Sequence, residues 1–218
     1  IDLFDKYNKP IWLTEFCAWQ SNIGSMEAQA TYMAQALNYL EQSPKVARYA
    51  WFMPRTNQPI KAYPHNQLLT HDDPAALTML GQLYTRFSSF DKDTYFDLNK
   101  GVSAGNYVGI SEIMVPVSVS PEDGENLIIS PLSMDQWVEY NVYSSSSLKT
   151  LNVRYATLVK TRIAIDVDGK AGEEYQVPSS NGMDVRADMQ VPVKLSAGGH
   201  TIRVRVVSGG LNLGWIKK

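Results

Sequence analysis

The chain has 218 residues, a formal net charge of −2, 44% hydrophobic residues and 19% charged residues. This length allows two domains, and the ordinary apolar fraction excludes a wholly disordered chain. The near-neutral charge argues against a nucleic-acid partner, and the lack of an apolar run of about 18 residues argues against a membrane-spanning segment. The single cysteine, Cys17, excludes a disulfide within the chain and a thiolate zinc site.

The sequence opens at Ile1 without an initiator methionine or a secretory signal peptide, and an ordered-looking pattern starts at once. We therefore expect the chain to be the back end of a longer protein. Apolar residues recur at helical spacing up to about residue 95 and alternate with polar residues after it, which predicts two parts with different folds.

Helices and strands alternate in the first part. The predicted elements are a helix over 2–7, a buried strand over 10–16, a helix capped by Ser25 and ended by Pro44, a buried strand over 46–52, a polar loop over 54–73 and a helix over 74–87. The long helix carries apolar residues on one face, at Met26, Ala30, Met33, Ala34, Leu37 and Leu40. This order predicts a piece of an alternating β/α fold.

Short strands separated by turn signals fill the second part. They are predicted over 110–119, 126–130, 137–142, 148–156, 161–167, 191–195, 200–207 and 211–216. Asp168-Gly169 is a hairpin turn signal. The pattern predicts an all-β jelly-roll sandwich over 100–218, preceded by a polar linker over 91–99 and an α/β segment over 1–90.

Glu15 is the first candidate for chemistry. It lies at the carboxyl end of a predicted strand, the end at which β/α barrels build their active sites. A carboxylate flanked by Trp12, Phe16 and Trp19 suits a glycosidase, because the anion stabilises or attacks an oxocarbenium-like centre while aromatic rings stack on sugar. The alternative is a glutamate that caps a helix or forms a salt bridge at a strand end.

Trp51 is the second candidate. It ends the next predicted strand, so Glu15 and Trp51 are expected at the same mouth, where Trp19 and Trp51 would act as sugar platforms. The alternative for Trp51 is a core tryptophan.

Several segments together carry a family resemblance over about residues 1–87: Thr14-Glu15-Phe16, Arg48-Tyr49-Ala50-Trp51-Phe52, Asn66-Gln67-Leu68-Leu69 and the run from Leu77 to Tyr84. In this order and spacing they resemble the glycosyl-hydrolase catalytic core family, family 128 of the glycoside hydrolases. The resemblance implies a retaining β-1,3-glucanase on a β/α barrel, with Glu15 as the nucleophile on the seventh strand. It also implies that the acid/base glutamate lies on the fourth strand. Since a whole barrel takes about 250 residues, the chain would hold only its last β/α units, and the missing N-terminal part of the same catalytic domain would complete it.

Five ordered blocks carry a second resemblance over about residues 100–218. They begin with Trp137-Val138-Glu139-Tyr140 and end with Leu211-Asn212-Leu213-Gly214-Trp215. These blocks resemble a family 6 carbohydrate-binding module. The resemblance implies that Glu112 and Asn212 are polar residues of a loop cleft and that Trp137 lies on a sheet face that some relatives use for sugar.

The second segment departs from its family at the sugar-stacking positions. Pro131 and Met183 stand near the places where the family carries aromatic rings, so we expect weak sugar binding through the loops and, if the module binds, binding on the sheet face near Trp137. The alternative for Trp137 is a half-buried strand residue. Ser103, Gly105 and Gly214 replace the family's calcium carboxylates, so we expect no metal and no other cofactor.

The sequence therefore predicts the C-terminal portion of an extracellular or cell-surface glycoside hydrolase, an endo-β-1,3-glucanase acting on a laminarin-like polysaccharide. Glu15 would attack the anomeric carbon in a double displacement. One alternative is a non-catalytic carbohydrate-binding protein whose first part supports the sandwich. Another is a related glycosidase that acts on a different polysaccharide.

Overall fold

The computed structural model describes residues 1–18, 23–56, 65–111, 115–122, 124 and 126–218. They form two compact units, Ile1–Phe87 and Ser88–Lys218, which are described separately. No helix among the described residues is long and apolar enough to cross a membrane.

The first unit alternates helices and strands, as the sequence predicts. Its elements are α1 (Asp2–Asp5), β1 (Ile11–Phe16), α2 (Met26–Gln42), β2 (Val46–Trp51) and α3 (Met79–Arg86). β1 and β2 form a two-stranded parallel sheet, in which Ile11 is opposite Val46 and Phe16 is opposite Trp51. Parallel neighbours joined by a helix are the β/α unit from which α/β folds are built.

The beginning of α2 matches its sequence signals. The Ser25 side chain accepts a hydrogen bond of 3.1 Å from the backbone N–H of Ala28, one of the donors that a helix start leaves unsatisfied. The predicted apolar face is buried, with Met33 and Leu37 fully inaccessible. The helix ends at Gln42, two residues before Pro44.

The last helix starts later than predicted. The sequence pattern places its start at Pro74, but Thr78 caps the helix by accepting from Gly81 N–H, at 3.1 Å. The preceding residues instead form a bridge between Leu69 and Leu77. Gly81 lets α3 approach that segment closely, since a Cβ there would lie 2.1 Å from the carbonyl oxygen of Leu68.

The two strands of the first unit are less buried than the sequence predicts. Within β1, Trp12 is 64% exposed, and Thr14 and Glu15 are also exposed. Only Trp51 of β2 is buried. Parallel strands are normally covered on both faces and by further strands, so a sheet of two strands leaves most of these side chains accessible.

The second unit is a sandwich of two six-stranded sheets, which confirms the predicted all-β fold. Its strands are β3 (Phe96–Asp97), β4 (Val102–Ser103), β5 (Gly109–Ile110), β6 (Val117–Val119), β7 (Leu127–Ser133), β8 (Trp137–Ser144), β9 (Leu148–Thr157), β10 (Thr161–Val167), β11 (Glu174–Val177), β12 (Gly182–Leu195), β13 (Gly198–Ser208) and β14 (Gly210–Lys217).

One sheet has the order β11-β10-β13-β8-β3, with β5 also paired to β8; the other has the order β12-β9-β14-β7-β6, with β4 paired to β14. Alternate residues of the central strands face the core. In β8, for example, Val138, Tyr140 and Val142 are fully buried, while the residues between them lie on the outer face. The two inner faces therefore supply the hydrophobic core.

The Asp168-Gly169 turn has the predicted geometry. Both residues have positive φ, 50° and 75°, as a two-residue type I′ turn requires. Val167 and Lys170 close the turn by exchanging backbone hydrogen bonds of 3.0 and 2.9 Å.

The predicted linker over 91–99 differs from the structure. Phe96 and Asp97 pair in parallel with Val142 and Tyr143 of β8, and Leu98 is fully buried. Lys92 also contacts β8, since its carbonyl oxygen accepts from Asn141 Nδ2 at 2.6 Å. The polar composition suggested a linker, but the few apolar residues within it add this segment to the sandwich.

Candidate functional site

Glu15 lies near the carboxyl end of β1, one residue before the position at which Phe16 pairs with Trp51 of β2. Its side chain is exposed, and its carboxylate forms no hydrogen bond or ion pair with any described residue. Because the two strands are parallel, their carboxyl ends lie at the same edge of the sheet. The structure thus places an exposed carboxylate at the edge where β/α folds carry out chemistry.

A buried polar cluster holds the backbone beside Glu15. The Gln29 side chain, from α2, donates hydrogen bonds of 2.8 Å to the Ala18 carbonyl oxygen and to Asn66 Oδ1. Asn66 in turn donates to Cys17 Sγ at 3.4 Å. Gln29 is fully buried and Asn66 is 1% exposed, so these bonds form away from water, where breaking them is costly. The cluster ties the end of β1 to α2 and to the segment after β2.

Cys17 belongs to this cluster and not to a nucleophilic pair. Burial raises the pKa of its thiol, which keeps the sulfur protonated at neutral pH.

Trp51 is buried and does not lie at the surface as the predicted sugar platform would. Its side chain is 4% exposed, and its indole N–H donates to the Asn66 carbonyl oxygen at 2.7 Å. Phe16 packs edge-on against it with a centroid distance of 5.2 Å, and Tyr32 of α2 lies 6.2 Å away. The alternative of a core tryptophan is the one that the structure supports, because a ring enclosed in this way offers no face to a sugar.

Two predicted site residues, Trp19 and Glu112, lie outside the described residues. Their proposed roles as a sugar platform and as a cleft residue stay predictions.

The outer face of β8 carries Trp137, and Arg203 of β13 covers one face of its ring. The guanidinium carbon lies 3.8 Å from the ring centroid, a cation–π contact. Arg203 is fixed in that position by Glu139, whose Oε2 accepts from Nε at 3.0 Å and from Nη2 at 2.8 Å. Trp137 is thus half-buried, with only part of its ring available to a ligand.

Two exposed tyrosines at the other end of this face were missed by the sequence analysis. Tyr143 of β8 is 46% exposed and Tyr95 is 49% exposed. Gly199 of β13 is opposite Tyr143, and a Cβ at Gly199 would lie 2.8 Å from the Tyr95 ring, so this ring lies directly on the sheet beside Tyr143. The alternation in β8 could have revealed Tyr143, because it shares the parity of Trp137; Tyr95 had no such signal.

Asn212 of β14 is the described residue of the loop cleft that the family 6 resemblance implies. Asn212 is 4% exposed, its Nδ2 donates to the Met183 carbonyl oxygen at 2.9 Å, and its buried Oδ1 has no hydrogen-bond partner among the described residues. An unpartnered buried acceptor is unusual in proteins. It suits a hydroxyl donor, although its burial leaves little access for a sugar.

The three positions at which the resembled family carries calcium carboxylates, Ser103, Gly105 and Gly214, do not fit that ion. Ser103 Oγ donates to the Leu127 carbonyl oxygen at 2.7 Å, so this hydroxyl is already engaged. A Cβ at Gly105 would lie 2.4 Å from the Leu127 side chain, and one at Gly214 would lie 3.0 Å from the Arg154 side chain. The space that carboxylates would need is therefore filled, and calcium depends on such ligands. More broadly, the described part of the chain brings no three His, Cys, Asp or Glu side chains together in a metal-binding group.

Comparison with known families supports the resemblance that the sequence predicts for each segment. Residues 1–84 match the family model of the glycosyl hydrolase catalytic core, and residues 112–218 match the model of carbohydrate binding module family 35. The resemblance of the first segment to the glycosyl-hydrolase core is confirmed, and so is that of the second to a carbohydrate-binding module. The sequence model that matches the second segment is that of family 35, whereas several of the similar solved structures are family 6 modules.

A curated relative is alkali-sensitive linkage protein 1 of Schizosaccharomyces pombe, which is 34% identical over 87 residues. The match covers 38% of this chain, and the chain spans only 16% of the length of that relative.

Two solved modules share the sandwich fold. One is a β-1,3-glucan-binding family 6 module from Bacillus halodurans, with a TM-score of 0.50 and 19% identity over 57% of this chain and 98% of that module. The other is a family 6 module from Clostridium stercorarium in complex with cellobiose, with a TM-score of 0.51 and 19% identity over 57% of this chain and 95% of the module. At such identities these structures establish the fold alone.

Proposed function

We propose that the chain is part of a retaining glycoside hydrolase acting on β-1,3-glucan, with Glu15 as the nucleophile and the β-sandwich as an accessory polysaccharide-binding module. The observation that carries the proposal is the exposed Glu15 carboxylate at the carboxyl edge of a parallel strand pair, which has no hydrogen-bond or ion-pair partner among the described residues and lies within a segment that matches a glycosyl hydrolase core. The choice of β-1,3-glucan rests on the family resemblance of that segment.

The chemistry follows from what a carboxylate at this position can do. Glu15 attacks the anomeric carbon and forms a glycosyl ester while the leaving oxygen is protonated; water then hydrolyses the ester and regenerates the carboxylate. The Gln29–Asn66–Cys17 cluster keeps the backbone after β1 in place, which limits the movement of Glu15 between the two steps.

A second carboxylate is required as acid and base, at about 5–5.5 Å from the nucleophile in retaining enzymes. The neighbouring strand β2, Val46–Trp51, carries no acidic residue. The proposal therefore assigns the second carboxylate to another strand of the same catalytic domain, contributed by a part of the protein outside these 218 residues. That part would be the partner that pairs with and covers the exposed side of β1.

A trapping experiment tests the role of Glu15. A 2-deoxy-2-fluoro-β-laminaribiosyl fluoride should form a slowly hydrolysed ester with the polypeptide that carries the complete barrel, because fluorine at carbon 2 slows the second displacement. Mass spectrometry of the digested protein should find the added disaccharide on the peptide containing Glu15. The added disaccharide should be absent from the Glu15→Gln variant. It should be present in the matched control Glu27→Gln, which changes an exposed glutamate of α2. Labelling of a different carboxylate would refute the assignment.

The sandwich contributes binding in this proposal. Exposed aromatic rings on a sheet face suit the apolar faces of sugar rings, and Tyr95 and Tyr143 form an adjacent pair of this kind. We place the principal sugar contact at these two tyrosines, with a smaller contribution from the accessible part of Trp137. The loop region at Asn212 is a secondary candidate, because its polar acceptor is not accompanied by rings at Pro131 or Met183.

A further inference from the structure

A cleft separate from both candidate sugar sites opens along one edge of the sandwich. It has a volume of about 890 Å³ and lies where the edge strands of the two sheets, β11 and β12, run beside each other. β10 forms its floor, and the turn over 168–173 closes one end. We call it the edge cleft. The lining contains none of Tyr95, Trp137, Tyr143 or Asn212.

Two contacts fix the shape of the edge cleft. The Tyr175 hydroxyl of β11 donates to the Pro192 carbonyl oxygen of β12 at 3.1 Å, which joins the two edge strands. At the end of the cleft, His200 Nδ1 lies 2.8 Å from Asp168 Oδ2, and His200 Nε2 lies 3.1 Å from the Ser196 carbonyl oxygen. His200 thereby clamps the turn that follows β10 to the turn that follows β12.

The turn backbone lies close against the floor of the edge cleft. Gly172 N–H donates to Asp166 Oδ1 at 3.0 Å, and a Cβ at Gly172 would lie 1.9 Å from the Ile165 carbonyl oxygen. Only glycine fits at this position without a shift of the backbone. The turn is therefore held in one place, which gives the cleft a defined end.

The lining combines an apolar floor with a cationic rim. Ile165 and Val193 are 3% and 8% exposed, and the ring of Tyr175 forms part of the wall. Three exposed lysines come from three different elements: Lys149 from β9, Lys170 from the turn and Lys194 from β12. None of them forms an ion pair with a described residue.

The acidic side chains of the lining only partly balance these lysines. They are Asp168 and Glu173. Asp168 is already engaged, because it accepts from His200 and from the Thr201 backbone N–H at 2.9 Å. The lining therefore holds three lysines against two carboxylates, and this positive excess attracts anions.

We propose that the edge cleft binds a sulfated saccharide. The apolar floor and the Tyr175 ring suit the C–H face of a sugar ring, and an open cleft of this size suits part of a chain. The three lysines belong to three different elements around the cleft, which matches a ligand that carries several separated charges. Lysine binds such groups as a point charge with three rotatable N–H donors, which suits the tetrahedrally arranged oxygens of a sulfate ester, and the cleft lining holds no arginine fork.

Three ligands that share one sugar chain but differ in their charged group test whether the edge cleft requires an anionic ligand and whether that anion is sulfate. Short oligomers of dextran, dextran sulfate and carboxymethyl dextran are titrated into the 218-residue chain by calorimetry. The inference does not depend on β-1,3-glucan binding, because dextran has a different linkage. Binding of dextran sulfate that weakens with added salt, together with no binding of dextran, is the expected result. Equal affinity for carboxymethyl dextran would overturn the assignment to sulfate.

Two triple variants with the same change of net charge locate the site. The first variant carries Lys149→Gln, Lys170→Gln and Lys194→Gln. It should bind dextran sulfate about tenfold or more weakly, since each substitution removes one exposed charge contact. Lys100→Gln/Lys160→Gln/Lys217→Gln alters three exposed lysines outside the cleft and should change the affinity by less than about twofold. Both are surface changes and should leave the melting temperature nearly unchanged. An equal loss in the two variants would show attraction by total charge and would refute the edge cleft.

Discussion

At the carboxyl edge of the β1–β2 sheet, Glu15 is exposed whereas Trp51 is buried, so only the glutamate is accessible to a substrate. The position of Glu15 at the end of an apolar run was predictable, because a strand end is visible in the pattern. The burial of Trp51 was not, because the sequence does not reveal the direction in which a strand-end side chain packs. In the structure Trp51 packs with Phe16 and Tyr32 and donates to Asn66, a contact between residues 15 positions apart in sequence.

A residue-level prediction concerns the Asp168–His200 clamp. Burial raises the pKa of the Asp168 carboxyl, but hydrogen bonds from His200 and from Thr201 N–H outweigh it, so the pKa lies below its usual value. A carboxyl whose pKa is lower in the folded state stabilises the protein above the unfolded-state pKa of about 3.9, and this stabilisation is lost as the pH falls through the lower, folded-state value.

Asp168→Asn should therefore lower the free energy of unfolding of the sandwich at pH 7 by about 0.5–1 kcal/mol, a small effect because the side chain is half-exposed. Asparagine keeps the positive φ acceptable, so the turn itself is preserved. Urea unfolding at pH 7 and at pH 3 measures the effect. The difference between wild type and variant should shrink at pH 3, and a difference that grows on acidification would contradict the assignment of the charged carboxylate.

At the scale of elements, periodicity predicted the strands with strong apolar alternation and missed those without it. β8, β9, β10, β13 and β14 match their predictions within a few residues. β11 was missed, and β12 begins at Gly182 although only residues 191–195 were predicted. Both are edge strands, and the missed half of β12 is largely accessible. An edge strand needs fewer apolar residues, so its sequence resembles a loop.

The outer face of β8 gives an element-level prediction. Binding of laminarin oligosaccharides to the chain should weaken about tenfold in Tyr143→Ala, since a stacked ring contributes an interaction of this order. Trp137→Ala should have a smaller effect, because Arg203 already covers one face of that ring. Calorimetry measures both, with Tyr39→Ala as the control for an exposed tyrosine of α2. A loss confined to Asn212→Ala would move the site to the loops.

At the scale of the whole molecule, the proposed function assigns the chemistry to the first unit and the attachment to polysaccharide to the second. The change of periodicity near residue 95 predicted two parts with different folds, and two different family models match the two parts. The boundary between the two units was less predictable. Residues 96–98 pack into the sandwich through contacts with β8, and the polar composition of this segment gives no sign of those contacts.

The most direct measurement is hydrolysis of a panel of β-1,3-, β-1,4- and mixed-linkage glucans by the polypeptide that carries the complete barrel. Wild type should release reducing sugar from the β-1,3-glucan laminarin. Glu15→Gln should lower turnover by about three orders of magnitude or more, because the amide cannot act as the nucleophile. Glu27→Gln should retain full activity, and all three proteins should melt at similar temperatures. Undiminished hydrolysis by Glu15→Gln would contradict the account at its centre.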